Sequence, residues 1–244
     1  MSRPTLAEGR KYSSGVILES WRLWEALQEE HAARRISEWR LDSDYFELEE
    51  SPAIAVVIAQ GASIAVDALE RLAGSGASRV VRLGTTGGLQ PSMSVGDVAL
   101  PYAAIRGEGT SRCYLPPHVP ALAALPLVEA LAARLSAHCG TAIAPCIGWT
   151  TDGRWVESDA EIREFSALGV SVVDMESAAL FSAAMVRSVQ AASVSIVADL
   201  PILHIGSEFK GLPAGEEEWR LVLRRARAAF AALLDVLRHP ESAC

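Results

Sequence analysis

Three short runs rich in β-branched and other apolar residues constrain the fold of this chain more than any other feature. They occupy residues 53–59 (AIAVVIA), 79–83 (RVVRL) and 192–198 (ASVSIVA). The first run is continuous, as in strands covered on both faces, whereas half-exposed strands alternate polar and apolar residues. Segments with helical periodicity separate the runs. The chain is therefore predicted to be an α/β protein with a mixed, mostly parallel central sheet and helices on both faces.

The remaining elements follow from the spacing of apolar residues and from turn signals. Helices are predicted where apolar residues recur every three or four positions: 19 to about 35, 63–73, about 121–137, 161–167, 175–190 and 217–237. Further strands are predicted at 16–18, 97–100, 103–105, 141–147 and 170–173, and a glycine-rich turn at 84–89. Asp159 is the expected N-cap of the fourth helix. No repeat or linker interrupts this order, so residues 1–244 are predicted to form one domain with a loosely ordered segment at 1–15.

Composition narrows the possible partners. A net charge of −8 argues against a nucleic-acid-binding protein, which normally carries a basic stripe. The longest apolar runs are far shorter than the ~20 residues of a membrane span, and residues 1–15 lack the apolar core of a signal peptide. The four cysteines have no metal-ligand spacing, so we expect reduced thiols and no metal site. These features predict a cytoplasmic protein without nucleic-acid or membrane partners.

Polar residues follow buried strands at three places, and ligands of such sheets bind beyond the carboxyl ends of strands. The first place is RLGTTGG, residues 82–88, where glycines allow successive N–H groups to face one concavity. The forked guanidinium of Arg82 suits a phosphate group, and the hydroxyls of Thr85 and Thr86 add donors. Taken alone, the segment fits an ordinary strand-to-loop turn with a surface arginine at least as well.

The second place is VVDMESAAL, residues 172–180, where a strand runs directly into a helix. Acidic residues in a first helical turn usually serve the helix dipole. The functional interpretation is that Glu176 accepts hydrogen bonds from a sugar diol while Met175 packs on the apolar face of the sugar.

The third place is SIVADLP, residues 195–201, where a buried strand ends at Asp199. Burial raises the pKa of a carboxyl group, which suits a general acid. A turn cap made by the same carboxylate is an equally good explanation of this segment by itself.

The order and spacing of these segments resemble the nucleoside phosphorylase-I family, which includes purine nucleoside phosphorylases, uridine phosphorylases and methylthioadenosine/adenosylhomocysteine nucleosidases. Its hallmarks are R-x-G-[ST]-x-G at a strand end, then V-G-D-V, M-E-[SA]-A at a helix start and, in the purine branch, a Ser-Asp or similar pair. This chain carries RLGTTG (82–87), SVGDV (94–98), DMESAAL (174–180) and AD (198–199). The resemblance spans roughly residues 53–235 and implies the α/β fold predicted above.

The resemblance also implies site roles. Arg82 and Thr85 would bind phosphate, while Thr86 and Gly87 would line the glycosidic bond and the base. Phosphate would be a co-substrate, and neither a metal nor an organic cofactor is implied.

Three further roles are implied for the nucleoside. Met175 and Glu176 would hold the ribose, and Glu176 would stabilise the oxocarbenium-like sugar of the transition state. Asp199 would protonate N7 of a purine. By resemblance, Asp199 favours a purine base and Arg82 favours phosphorolysis over hydrolysis. The expected reaction converts a purine-like nucleoside and phosphate into free base and ribose-1-phosphate.

Departures from the family pattern concern mainly the phosphate site. The usual G-D-P-x-R loop after the first strand is absent, and Arg22 in VILESWRL (16–23) is the nearest match to its arginine. This gap keeps two alternatives open: a nucleosidase that hydrolyses the same bond with water, and a degenerate member that binds a nucleoside without turnover.

Other arginines and one tryptophan are secondary candidates. Trp155, in the loop TTDGRWVES (150–158), is the expected stacking partner of the base, unless it belongs to an oligomer contact. Arg34 or Arg35 could be donated to the phosphate across a dimer interface, although solvated helix charges explain both more simply. Arg220 is a weaker candidate from the last helix. Family resemblance implies a homodimer or a trimer of dimers.

Overall fold

The computed structural model describes residues 5–6, 9–36, 44–206 and 215–239. Within them, ten strands form one sheet: β1 Ser14–Leu18, β2 Ala33–Arg35, β3 Asp44–Leu48, β4 Ser51–Ile58, β5 Arg79–Gly88, β6 Val98–Gly107, β7 Ala121–Leu122, β8 Pro145–Thr151, β9 Val172–Asp174 and β10 Gln190–Asp199. The helices are α1 Trp21–Gln28, α2 Ala62–Gly74, α3 Leu125–Cys139, α4 Asp159–Ala167, α5 Ser177–Arg187 and α6 Glu216–Arg238. Short 3-10 turns occupy Thr110–Cys113 and Pro201–His204.

The sheet curls so that part of it closes on itself. Its strand order is β10-β6-β8-β9-β5-β1-β4-β3-β2, with β7 added to β6. Because β10 also pairs with β5, the five strands β5, β10, β6, β8 and β9 form a closed ring. Five of the described pairings are parallel and five are antiparallel, so the antiparallel share is larger than the sequence indicated.

Helices cover both faces of the sheet, as predicted. On one face α1, α3 and α6 pack against the strands around Trp24 and Phe230. On the other face α2 and α5 pack around Leu69 and Phe181, which are fully buried like the first pair. Each large apolar side chain buried in this way stabilises the fold by about 1.5–3 kcal/mol. The α/β fold with a mixed sheet is confirmed.

Several local predictions are wrong. The strands expected at 97–100 and 103–105 are the single strand β6, and residues 121–122 of the helix expected at about 121–137 form β7. The helix expected over 19 to about 35 is only α1, which ends at Gln28, and Ala33–Arg35 forms the edge strand β2 instead. The cause is tertiary: residues 33–35 find backbone partners at 46–48 of β3. The turn expected at 84–89 is also absent, because β9 and β10 flank this segment and extend β5 as a strand to Gly88.

A specific capping interaction fixes the start of α4. Ser158, rather than Asp159, caps α4: its hydroxyl accepts the N–H of Glu161, whose carboxylate accepts the N–H of Ser158 in return. This reciprocal capping box satisfies two of the free N–H groups of the first turn.

The described part of the N-terminal segment packs on the α2 side. Leu6 and Tyr12 are buried there, while residues 1–4 and 7–8 of the segment expected to be loose lie outside the described residues. Cys113, Cys139 and Cys146 are free thiols, and Cys244 lies outside the described residues. In the described part of the chain, no helix combines the length and apolar character that crossing a membrane requires.

Candidate functional site

A cavity of about 260 Å³ opens where the ends of β1, β5, β9 and β10 meet. This volume lies just below the range of about 300–1,000 Å³ that is typical of small-molecule sites. Residues from the ends of five strands (β1, β4, β5, β9 and β10), from the loop after β8 and from two helices line it: Glu19, Ser20, Arg22, Gln60, Thr85, Thr86, Gly87, Arg154, Glu157, Val173, Asp174, Met175, Glu176, Ala198, Asp199 and Trp219.

Gly87 lies between the two strands that lead to the acidic residues of the cavity. It pairs with Asp199 of β10 on one side and with Val173 of β9 on the other. A Cβ atom at this position would lie 2.8 Å from Cγ of Pro201 and 2.9 Å from Cγ1 of Val173, so only glycine allows both neighbours to approach. The two acidic segments that the sequence singled out are thereby brought to opposite sides of one strand.

Arg82 is fully buried in β5 and lies behind the cavity, not among the residues that line it. Its Nε and Nη2 donate to Oε2 of Glu176 at 3.0 and 2.6 Å. Nη2 also donates to Oε2 of Glu19 at 2.7 Å, and Nη1 donates to Ser195 at 2.9 Å and Ser193 at 3.4 Å. All five N–H groups of the guanidinium thus have partners within the chain.

The charges of this cluster shift two pKa values. Burial lowers the pKa of Arg82, but the surrounding charges of Glu176, Asp174 and Glu19 outweigh burial and raise it overall. Burial raises the pKa of Glu19 to about 7, assisted by the negative charge of Glu176 and opposed by Arg82 and by the Thr85 hydroxyl, which donates to Glu19. Glu19 consequently changes charge near neutral pH.

Glu176 and Asp174 have different tasks. Glu176 is the N-cap residue of α5, and its Oε1 accepts the N–H of Gly61 at 2.7 Å, which fixes the carboxylate at the cavity wall. Asp174 accepts from the Thr150 hydroxyl at 2.7 Å and from the backbone N–H and hydroxyl of Ser177, so it completes the start of α5. The helix-dipole explanation therefore applies to Asp174, while Glu176 faces the cavity.

The structure brings most of the other predicted residues to the same cavity. Met175 is partly buried beside Glu176, and Thr86 is buried with its hydroxyl donating to the carbonyl of Val173 at 2.6 Å. Asp199, the last residue of β10, is partly buried, and burial raises its pKa to about 6, against the opposing charges of Arg154 and His204.

Trp155 does not reach the cavity. Its side chain is 69% exposed, and the preceding residue, Arg154, lines the cavity with its guanidinium carbon 5.2 Å from the Trp155 ring centroid. The two residues lie in a tight turn in which the N–H of Val156 donates to the carbonyl of Gly153 at 3.0 Å.

Of the other arginines that the sequence suggested for phosphate binding, only one lines the cavity. Arg22 lines the cavity with its guanidinium carbon 4.1 Å from the Trp219 ring centroid. Arg34, Arg35 and Arg220 do not line it. Their side chains are more than half exposed and pair with nearby carboxylates of Glu47, Asp44 and Glu216, respectively.

Sequence reasoning missed Glu19, Arg154, Glu157 and Trp219. Glu19 carried a usable signal, because it is a carboxylate directly after the buried strand β1, the same criterion that identified Asp199. Nothing in the sequence indicated Trp219, because the face of α6 on which a residue lies does not show which strand ends that helix covers. Among the described residues, no three His, Cys, Asp or Glu side chains are grouped so that they could hold a metal ion.

The chain is similar to known proteins in sequence and in fold. A family model described as the phosphorylase superfamily matches residues 46–237. A uridine phosphorylase of Escherichia coli is 30% identical over 175 residues, covering 66% of this chain and 67% of that protein. A uridine phosphorylase of Thermococcus kodakarensis is 44% identical over 71 residues, which cover 29% of this chain and only 25% of that protein.

Solved structures share the fold over nearly the whole chain. A uridine phosphorylase from Vibrio fischeri superposes with a TM-score of 0.80 at 21% identity, covering 95% of both chains. A purine nucleoside phosphorylase from Toxoplasma gondii, in complex with immucillin-H, also gives a TM-score of 0.80 at 20% identity, covering 98% of this chain and 100% of that one.

Proposed function

Since the chain belongs to the phosphorylase superfamily, we propose that it cleaves the N-glycosidic bond of a purine-like nucleoside with phosphate, giving free base and ribose-1-phosphate. One observation carries the proposal: Gly87 holds Asp199 and the Glu176 segment on its two sides, in one cavity. A proton donor for the base and an anion for the sugar are the two groups that this cleavage requires.

Asp199 is the proton donor. When the C1′–N9 bond breaks, its electron pair moves into the purine ring, and protonation at N7 by Asp199 neutralises the leaving base. The pKa of about 6 keeps part of Asp199 protonated near neutral pH, which suits a general acid.

Glu176 is the sugar-binding anion. Oε2 accepts two hydrogen bonds from Arg82, from Nε and Nη2, whereas Oε1 accepts one from the N–H of Gly61 and retains a further lone pair for a ribose hydroxyl. The positive charge that develops on the sugar is stabilised by this fixed carboxylate more strongly in the transition state than in the ground state, and that difference raises the rate.

Phosphate would approach from the side of Arg22, Thr85 and Arg82. Arg22 faces the cavity and is paired with the Trp219 ring, and no hydrogen bond or ion pair to Arg22 occurs within residues 5–6, 9–36, 44–206 and 215–239. Arg82 becomes available to phosphate once the Glu19 carboxylate moves aside. Phosphate attacks C1′ as the bond to the base breaks.

A second candidate is hydrolysis, favoured specifically by Glu19. Its carboxylate already occupies the Nη2 group of Arg82 and the Thr85 hydroxyl. Five carboxylates and two guanidiniums line the cavity, a balance that repels an anion but not water. With a pKa of about 7, Glu19 is matched to accept a proton from water while the water oxygen bonds to C1′.

One experiment separates these functions. Purified protein is incubated with inosine or uridine, with and without inorganic phosphate, and base release and sugar products are quantified. Phosphorolysis predicts ribose-1-phosphate and no turnover without phosphate, whereas free ribose in phosphate-free buffer overturns it in favour of hydrolysis. Absence of base release from both nucleosides, with and without phosphate, would count against both reactions on these substrates and favour the nucleoside-binding alternative.

The same assay addresses the base. Asp199 supports a purine, so inosine should be cleaved faster than uridine, and Asp199→Asn should lower inosine cleavage by roughly 100-fold or more. A faster reaction with uridine, as the names of several relatives would suggest for those proteins, would overturn the purine assignment. A homodimer or trimer of dimers and a cytoplasmic location stay predictions.

A further inference from the structure

We infer that Trp219 of α6 positions the Arg22 guanidinium for the acceptor phosphate, so that helix α6 completes the phosphate side of the cavity. This inference rests on the proposed function, in which phosphate attacks the sugar, and it adds a positioning residue to that reaction. Both residues line the cavity, Arg22 from the start of α1 and Trp219 from the start of α6.

Arg22 is accessible to an anion in a way that Arg82 is not. Arg82 is fully buried behind the cavity, and all five of its N–H groups have partners within the chain. Arg22 is exposed and lines the cavity, and no hydrogen bond or ion pair holds its guanidinium in the part of the chain that the structure describes. A phosphate that enters the cavity therefore meets Arg22 first.

The local sequence does not hold Arg22 in this position. Arg22 is the second residue of α1, and the first turn of α1 contains no acidic residue. The N-terminal end of a helix carries a partial positive charge, which disfavours a cation there. An exposed arginine side chain also loses conformational entropy when it is confined to one geometry. A contact from elsewhere in the fold is therefore needed to keep the guanidinium at the cavity.

The ring of Trp219 supplies that contact. The guanidinium carbon of Arg22 lies over the ring, 4.1 Å from its centroid, which is within the range of a cation–π interaction. The ring is partly buried against the core, and its Nε1–H is buried without a hydrogen-bond partner among the described residues, so packing and the contact with Arg22 orient the indole. Because this contact is made through the ring face, it occupies no N–H group of Arg22, and these groups remain able to donate to phosphate.

A second contact between α1 and α6 keeps the ring and the arginine in register. Arg227 lies about two turns after Trp219 on α6. Its Nε donates to the carbonyl oxygen of Ala26 at 3.1 Å, and its guanidinium forms an ion pair with Glu29 at the end of α1. Helix α6 thus holds α1 near both of its ends, which gives Trp219 a fixed place relative to Arg22.

The test separates the face of the ring from the rest of the side chain. Trp219→Leu removes the aromatic face, and we expect the KM for phosphate to rise about 3–10-fold while kcat at saturating phosphate and the KM for the nucleoside stay unchanged. Trp219→Phe keeps an aromatic face and should restore most of the phosphate affinity. Trp21→Leu is the matched control, because Trp21 is an exposed tryptophan next to Arg22 that does not line the cavity. Circular dichroism checks that each variant folds, and Trp219→Met replaces Trp219→Leu if the latter does not.

A double-mutant cycle shows whether Trp219 acts through Arg22. Arg22→Ala should raise the KM for phosphate about 10–100-fold, because it removes charge-assisted hydrogen bonds to the anion. Addition of Trp219→Leu to Arg22→Ala should then change this KM no further, since the ring has no arginine left to hold. Additive effects would overturn the inference, as would a Trp219→Phe variant as impaired as Trp219→Leu.

Binding of inorganic phosphate without nucleoside separates this inference from the proposed reaction. Calorimetric titration should show phosphate binding by the wild-type protein, weaker binding by Trp219→Leu and loss of binding in Arg22→Ala. This pattern without any phosphate-dependent cleavage would support the phosphate site and overturn phosphorolysis. Phosphorolysis with a KM for phosphate that neither Arg22→Ala nor Trp219→Leu changes would overturn the inference alone. Absence of phosphate binding together with phosphate-independent cleavage would overturn both.

Discussion

Glu19 accepts a 2.7 Å hydrogen bond from Nη2 of Arg82, which places a carboxylate beside the arginine that the RLGTTG motif predicts to bind phosphate. The same Nη2 group donates to Glu176 at 2.6 Å. Arg82 therefore links the end of β1 to the sugar-binding carboxylate, and any anion that reaches Arg82 must compete with Glu19.

Removal of the Glu19 charge should improve phosphate binding. Glu19→Gln keeps the size and one acceptor of the side chain, and we expect the KM for phosphate to fall by roughly tenfold because a like charge is removed beside the anion. Phosphate titrations of base release measure this change. Glu25→Gln, an exposed position on α1, makes the same charge change away from the cavity and is the control.

The opposite response would identify water as the acceptor. If Glu19 activates water, Glu19→Gln should lower the phosphate-independent rate by about 100-fold or more. An unchanged KM for phosphate together with an unchanged phosphate-independent rate would show that Glu19 does not border the acceptor.

Purine cleavage should decline above the pKa of Asp199. The protonated acid is the active form, so at saturating phosphate we expect kcat/KM for inosine to fall about tenfold per pH unit above pH of about 6. Asp199→Asn should abolish this limb of the profile as well as lower the rate. A limb that persists in Asp199→Asn would assign the titration to another group.

Loss of Arg82 should destabilise the fold more at high pH than at low pH. Arg82→Met leaves Glu19, Asp174 and Glu176 close together without their cation, and breaking a buried ion pair costs about 3–5 kcal/mol. The free energy of unfolding, from urea titration at pH 8, measures this loss.

The sign of the pH effect follows from Glu19. Its pKa in the folded wild type is raised to about 7, so at pH 5 the carboxyl is neutral and the repulsion in Arg82→Met is smaller. A destabilisation below about 1 kcal/mol at pH 8 would contradict the arrangement. Arg163→Met, an exposed position on α4, is the control.

A methyl group at Gly87 should disturb both stability and activity. The added Cβ would meet Pro201 and Val173 at 2.8–2.9 Å, so we expect a loss of about 1–3 kcal/mol in the free energy of unfolding. We also expect a lower kcat/KM, since β9, which precedes Glu176, and the segment that follows Asp199 are forced away from Gly87. Gly109→Ala is the matched control, because its nearest neighbour would be 3.6 Å away and its φ is −88°. Equal effects of the two substitutions would argue against Gly87 as the point of close approach.

Much of the fold was predictable because its signals are local. The run at 53–59 forms most of β4 and ends one residue after it, and the runs at 79–83 and 192–198 lie within β5 and β10. The helices with clear periodicity are present. The prediction failed where a distant partner overrode local preference. Ala33–Arg35 pairs with β3 despite a helical pattern before it, and the glycine-rich segment at 84–88 stays extended because strands lie on both sides of it.

In the candidate site, too, the residues with a local sequence signal were predicted and those placed by the tertiary structure were not. Polar residues at the ends of buried strands identified Thr85, Thr86, Gly87, Glu176 and Asp199 correctly as neighbours, and all five line one cavity. Trp155 was misplaced, because it lies in the backbone turn between Gly153 and Val156, where residue type does not show the direction of a side chain. The chemical roles of these residues stay predictions that the experiments above test.

Local patterns along the chain were thus sufficient to establish the α/β class, the strand ends that form the site and the residue types available there. Only the tertiary structure decided which of those charged residues form ion pairs and hydrogen bonds with each other. Arg82 meets Glu19 across 63 positions and Glu176 across 94, and no periodicity encodes contacts of that separation. Because the pKa of a carboxyl group depends on burial and on the charges within a few ångströms, the question of phosphate or water as acceptor turns on that packing rather than on the motif.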